Sequence, residues 1–356
     1  MISAVKSVLI SALPRKTKTG PLASFLFVLL AIILLVGCNS VPEPLVLNGQ
    51  TMGTTYQVKV FPGSVEVAED LAEQIQGTLD RLDGMFTTYR PDSELMTLNR
   101  AEIGQYRAIS DDMLHVLQVA REVFQVTGGA FDPTVGPLVN LWGFGPEFTG
   151  DVIPSDKQIA LQLPRIGFDK LQLDNALKRA RRTGDIELDL SAVAKGYAVD
   201  VIAELLDSAG QRNYLVEVGG ELRLSGDKAN GDPWRIAIES PTLGRRDIQQ
   251  VLSPGDVGMA TSGNYRNFFE RDGKRYSHTI DPRTGYPVLH HVVSATVIAE
   301  RTAYADAMAT AMMVLGREDA MAVAEKNDLA VYLIVKEGDE LKAYVSTAFS
   351  HYLSGE

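Results

Sequence analysis

The chain has 356 residues, a formal net charge of -11 and 45% hydrophobic residues, which is ample for a sizeable core. The acidic balance argues against a nucleic-acid partner. A single cysteine, Cys38, excludes a disulfide within the chain.

Residues 1–37 read as a targeting segment. Lys6, Arg15, Lys16 and Lys18 precede an apolar run, Leu22–Val36, and no acidic residue occurs there. The run is short for a membrane span and suits a secretory core. Leu35-Val36-Gly37-Cys38 has the form of a bacterial lipobox, with Cys38 as the lipid attachment point. The alternative is an uncleaved anchor helix; either way the domain is expected outside the cytoplasm. Removing residues 1–37 takes away four basic residues and no acidic ones, so the formal charge of -11 moves to about -15. Residues 38–47, with Pro42 and Pro44, read as a lipidated tether, and 48–356 as one catalytic unit.

Within that unit Thr54–Phe61 reads as a strand ended by Pro62-Gly63. Val67–Met85 carries Leu71, Ile75, Leu79 and Leu82 on one helical face. Ser110 opens a second helix, Met113–Val126, which stops at Gly128-Gly129. Ala130–Pro146 reads as irregular, and Ser155 opens a short helix. Lys170–Asp174 and Leu177–Thr183 suggest a hairpin, and Ile186–Leu190 a strand feeding the helix Ala192–Ala209. Short strands follow at Asn213–Val218, Glu221–Ser225, Trp234–Glu239 and Ile248–Leu252. His291–Ala299 is a strand, Thr302–Leu315 and Glu318–Lys326 are helices, and two strands close the chain. This unalternating mixture predicts an α+β fold of largely antiparallel sheet with packed helices.

Candidate chemistry is scattered along this plan. Gly258–Val288 is dense in turn signals, including Asp272-Gly273 and Asp281–Gly285, around one imidazole, His278. Lys274–Ile280 alternates, which would put Tyr276, His278 and Ile280 on one strand face. The plain alternative is a surface hairpin with an incidental histidine. Asp306 and Thr310 stand at i and i+4 of a helix, offering hard oxygen donors suited to Mg²⁺ or Ca²⁺. The alternative is a carboxylate capping or salt-bridging near a helix start and a threonine packed among alanines. Asp189 and Lys195 flank a strand-to-helix junction able to face an anion, or simply a capping serine with a solvated lysine. Gly128-Gly129-Ala130-Phe131-Asp132 permits close approach to a flat ligand. Val218-Gly219-Gly220-Glu221 marks a bulge or the near passage of another group. No GxGxxG, P-loop, HExxH, GxSxG or paired-cysteine pattern occurs, which argues against Rossmann, P-loop, zinc-protease and α/β-hydrolase chemistry.

Several runs, in one order, carry a resemblance. They are Thr51–Tyr56, Thr88-Tyr89-Arg90 with Ser93-Glu94-Leu95 and Asn99, Gly129–Pro137 with Trp142–Gly145, Leu188–Asp200, Val216–Gly226, Gly258–Pro287 and Glu300–Thr310. The chain resembles the ApbE family of FAD:protein FMN transferases across residues 48–345, with no departure at a motif position and an unusually long leader. The resemblance implies a single T-fold-related unit that takes FAD as substrate and passes FMN to a Thr or Ser hydroxyl of a partner, releasing AMP. It implies flavin contacts at Met52, Tyr89, Ala130, Phe131 and Asp132. Asp189 and Lys195 would serve the adenosine and phosphate end, and Ile280 would line the pocket. Mg²⁺ would rest on the Ala192 carbonyl, Asp306 and Thr310, with His278 as base. The implied partner is an exported flavoprotein or respiratory-complex subunit on the periplasmic side of a bacterial membrane, the inner one favoured. An FAD diphosphatase and a non-catalytic flavin-binding lipoprotein are the alternatives.

Overall fold

A computed structural model describes residues 43–61, 65–145, 153–241, 248–264, 268–271 and 274–353. The leader, Cys38, Pro62-Gly63 and the Asp272-Gly273 turn lie outside the described residues.

An eight-stranded antiparallel sheet organises the chain. Its strands are β1 (Leu45–Thr51), β2 (Thr54–Val60), β6 (Tyr214–Val218), β7 (Glu221–Ser225), β10 (Gly258–Gly263), β13 (Val292–Ala299), β14 (Ala330–Glu337) and β15 (Glu340–Val345), in that spatial order. Between them fall β3 (Arg107–Ala108), β4 (Leu171–Asp174) and β5 (Arg179–Arg182), which form a small three-stranded sheet. β8 (Ile236–Glu239) pairs β9 (Ile248–Leu252), and β11 (Phe268–Arg271) pairs β12 (Lys274–Ser277).

The helices are α1 (Val65–Phe86), α2 (Glu94–Asn99), α3 (Asp111–Val126), α4 (Gly136–Leu141), α5 (Asp156–Gln162), α6 (Ser191–Ser208), α7 (Thr302–Lys326) and α8 (Thr347–Leu353). Serines stop the chain from entering α2, α3 and α5 early: Ser93, Ser110 and Ser155 each accept from a backbone N–H in the first turn. Ser155 and Gln158 complete a reciprocal capping box.

Both faces of the central sheet are buried, and strand alternation sorts the side chains. On β14, Val331, Leu333 and Val335 join the main core with α1, α3, α6 and α7. Tyr332 and Ile334 face a second core containing Ile236, Leu252 and Phe349. The expected α+β class with antiparallel sheet is what the chain adopts.

Four expectations need correction. Leu45–Leu47, read as tether, already pair with Val58–Val60. α4 interrupts the stretch read as irregular. Ile186–Leu190 is extended but pairs with no strand; the buried Asn99 amide takes both backbone groups of Leu188, at 2.8 and 2.9 Å. The sequence pattern of an apolar extended run cannot reveal that its ladder partner is a side chain. β12 ends at Ser277, because the Ser277 hydroxyl accepts from Thr279 N (3.2 Å) and turns the chain at His278. The strand itself is thus shorter than expected, although Tyr276, His278 and Ile280 do border one hydrophobic cluster, Tyr276 packing on it, Ile280 within it and the His278 ring 6.3 Å from its Phe144. The expected helix break between Leu315 and Glu318 holds, at Gly316 with φ 76.

Candidate active site

The site is built on the crossing of α6 and α7. Gly196 makes this crossing close: a Cβ there would meet Thr302 O at 2.5 Å and Asp306 Cβ at 2.8 Å. The approach lets Gly196 N donate to Asp306 Oδ2 at 3.0 Å. Asp306 is 4% exposed, and its carboxylate is held by a backbone N–H in the second turn of α6. It does not cap its own helix. That task belongs to Asp200, whose two oxygens accept from Thr302 N and Ala303 N, each at 2.9 Å. The capping half of the alternative for Asp306 is thereby removed, while the salt-bridging half holds, with Lys195 as the partner.

Lys195 lies one residue before Gly196. Its Nζ sits 3.5 Å from Asp306 Oδ2 and 3.2 Å from Glu221 Oε1. Burial pushes its pKa down, yet the Asp306 and Glu221 charges outweigh that and hold it above the ordinary lysine value. Burial and the Asp306 charge raise the Glu221 carboxyl, against the pull of Lys195. Glu221 stands just after the turn Gly219-Gly220, the two-residue link of β6 to β7, with φ 62 and 105. The expected near passage is real: a Cβ on Gly219 would lie 3.2 Å from Lys195 Cδ. Sequence reading gave Glu221 no role, because only the fold brings it to the lysine.

Asp189 Oδ1 accepts from Ser191 N at 2.9 Å and so caps α6. Its own N–H donates to Pro133 O at 2.7 Å, joining the Gly129–Pro137 segment to the helix start. Within that segment Ala130, Phe131 and Asp132 are buried, at 1, 3 and 6% exposure. The Asp132 carboxylate accepts from Thr134 N, Thr134 Oγ1 and Phe168 N at 2.8, 2.6 and 3.1 Å. Burial raises its pKa, and the Thr134 and Phe168 bonds oppose the rise. The Phe131 ring belongs to the main core, so it does not border an open ligand as expected.

Met52 occupies the β1–β2 turn at φ 49, a left-handed conformation that a non-glycine side chain adopts at a cost. Tyr89 is 77% exposed. Ile280 is buried in a hydrophobic cluster with Leu138, Trp142, Ile159, Ile166 and Phe269.

His278 is half-buried, and its ring lies 6.3 Å from Phe144, centroid to centroid. The segment doubles back after it. Asp281 N donates to Tyr286 O, Val288 N to Thr279 O, and Ile280 bridges Pro287. This register sets Leu289, 78% exposed, across from His278. Trp142 Nε1 ties the loop down by donating to Gly285 O at 2.9 Å. A cavity of about 800 Å³ lies at His290, Gly316, Arg317 and Lys336, and no candidate residue lines it.

The residues present fit a divalent cation. Among the described residues no group of three or more His, Cys, Asp or Glu is placed to hold a metal ion, so the donors would have to include a hydroxyl or a backbone carbonyl. Asp306 and Glu221 set two carboxyl groups against the single Lys195, and among the described residues Glu221 Oε2 is buried without a hydrogen-bond partner. Half-buried Thr310 one helical turn after Asp306, and half-buried Ala192 in the first turn of α6, add a hydroxyl and a carbonyl. Hard oxygen donors of this kind suit Mg²⁺.

The comparisons agree with this architecture. The chain is 44% identical over 334 residues to the FAD:protein FMN transferase of Vibrio cholerae, covering 93% of this chain and 99% of the relative. It is 41% identical over 339 residues to that of Escherichia coli K12, covering 92% and 97%. Its fold matches the solved flavin transferase ApbE from Vibrio cholerae with a TM-score of 0.80, 43% identity, and coverage of 87% of this chain and 99% of that one. The apo flavinyl transferase ApbE of Pseudomonas stutzeri matches at 0.81, with 38% identity and coverage of 88% and 99%. The family model described as the ApbE family spans residues 52–333, and the chain belongs to that family.

Proposed function

We propose that this protein is an FAD:protein FMN transferase. FAD binds along the junction of the Gly129–Pro137 segment with the start of α6, and FMN passes to a Thr or Ser hydroxyl of an exported acceptor. One observation carries the reading beyond the relatives' names: the buried Asp306 carboxylate, the Lys195 ammonium and the Gly196 N–H converge in the second turn of α6. A fixed carboxylate beside a fixed ammonium can serve a counter-ion and a diphosphate together.

In the proposed step the acceptor oxygen attacks the phosphorus of the FMN half. The bond from that phosphorus to the bridging oxygen breaks, and AMP leaves with that oxygen. His278 takes the hydroxyl proton, a role open to a neutral imidazole near pH 7. Lys195 orients the phosphates, and Asp189 holds the helix start from which the N–H groups point. Asp306, Thr310 and the Ala192 carbonyl would hold Mg²⁺, which when bound neutralises charge on the diphosphate. Contacts to the flavin fall to Met52, Tyr89 and the backbone of residues 130–132. Lipidation at Cys38 would keep the domain on the periplasmic side, at the inner membrane.

The test mixes the protein with FAD, Mg²⁺ and a candidate acceptor domain and records intact masses and nucleotide products. An acceptor heavier by one FMN, with equimolar AMP, is the expected result. AMP and free FMN beside unlabelled acceptors would replace the transferase by a diphosphatase.

A further inference from the structure

The β6–β7 turn supplies a residue that the proposed step leaves unused. Glu221 is 4% exposed, and its Oε1 lies 3.2 Å from Lys195 Nζ. Its other oxygen, Oε2, is buried with no hydrogen-bond partner among the described residues. An unpaired buried carboxylate oxygen is costly, so it points to a donor that arrives at another stage. The Lys195 stem is confined, since a Cβ on Gly219 would come within 3.2 Å of its Cδ. The ammonium end, between Glu221 and Asp306, is the part free to shift.

We infer that Glu221 is a positioning residue that gives the Lys195 ammonium a second seat. The ammonium neutralises Asp306 while that carboxylate holds no cation. It draws back onto both oxygens of Glu221 when a divalent cation arrives. This rests on the cation reading of Asp306 given above. An ammonium and a dication crowded on one buried carboxylate repel strongly. A withdrawn ammonium needs an anion, because a bare buried charge is costly. Glu221 Oε2 supplies the acceptor that Asp306 gives up.

The experiment titrates the detergent-solubilised full chain with Mg²⁺ in a calorimeter, without FAD or acceptor. It compares the unmodified protein, Glu221→Gln, Lys195→Met and the double variant. Glutamine keeps the shape and removes the charge, so Lys195 is left bound to Asp306 and competes with the ion. Glu221→Gln is expected to bind Mg²⁺ about tenfold more weakly, a typical effect of a residue behind a metal ligand. In the Lys195→Met background that difference is expected to vanish, since no ammonium needs a seat. Equal affinity in Glu221→Gln and the unmodified protein would overturn the inference. So would a tenfold loss that persists with Lys195→Met, which would make Glu221 a direct ligand. If the unmodified protein takes up no Mg²⁺, the cation reading of Asp306 fails first and this inference falls with it. Lys195→Gln serves in the same cycle if the methionine variant is unstable.

Discussion

The α6–α7 crossing and the His278 arm hold their functional groups in opposite ways. At the crossing, Asp306 and Glu221 are buried, and each polar contact is made by backbone or by an opposite charge. The arm from Phe268 to Leu289 is a two-stranded ribbon and a tight return, with Tyr286 and Leu289 exposed. The crossing suits a small ion and a diphosphate, which need fixed charge and little space. On the function proposed above, the arm serves the protein acceptor, with His278 as the base it must reach. A rigid electrostatic end and an accessible acid–base end are what transfer between a nucleotide and a protein requires.

The largest expected effect sits on the accessible side. His278→Ala should lower transfer to the acceptor by about 1000-fold, within the range for loss of a general base. The melting temperature and FAD affinity should hardly move, because a half-buried ring on a surface arm carries little of the fold. FAD titration and acceptor labelling on one preparation check both halves. Full labelling by the variant would take the base role from His278.

Breaking the crossing should look different. Gly196→Ala drives a methyl into the Thr302 carbonyl at 2.5 Å and Ala303 Cα at 2.8 Å, backbone that cannot step aside locally. Overpacking of this kind should cost about 3 kcal/mol of stability. Denaturant unfolding reads that loss, and Mg²⁺ uptake should fall together with it. A stable Gly196→Ala protein with normal Mg²⁺ uptake would show that the close crossing does not set the ion site.

A slightly smaller loss is expected from Asn99→Ala. The amide satisfies the buried N–H and C=O of Leu188, and removing it strands both, at about 2 kcal/mol. Because Asp189 follows directly, the variant should also lower FAD affinity in a fluorescence titration. An unchanged affinity would show that Leu188 does not position the start of α6.

The two regions were also unequally legible in the sequence. Helix and strand periods survive in sequence because they are local, so α1, α3, α6 and the break at Gly316 were readable. Asp306 and Thr310 were readable as a pair for the same reason. Glu221 was not, since it meets Lys195 only through the pairing of β6, β7 and α6. The crossing contact at Gly196 and the capping of α7 by Asp200 are likewise long-range. Phe131 and Ile280 are ambiguous for another reason: both are buried, and an apolar residue near a motif looks the same in sequence whether it lines a ligand or fills a core. His278 was found by turn density, yet its strand placement failed because one hydroxyl, that of Ser277, ended the strand early.

The smallest expected effect tests whether the arm is held as a unit separate from the crossing. Trp142 is 2% exposed, stacks on Tyr276 at 5.7 Å and donates to Gly285 O at 2.9 Å. Trp142→Phe keeps an aromatic ring but removes the donor, leaving Gly285 O short of a partner, a loss of about 1 kcal/mol. If the arm opens by itself, that loss should appear locally, as faster hydrogen exchange at the amides of Asp281 and Val288. The Gly196 amide, bonded to Asp306, should exchange as before. Equal acceleration at all three amides would mean that arm and crossing open together, and the division of labour between them would then rest on chemistry alone.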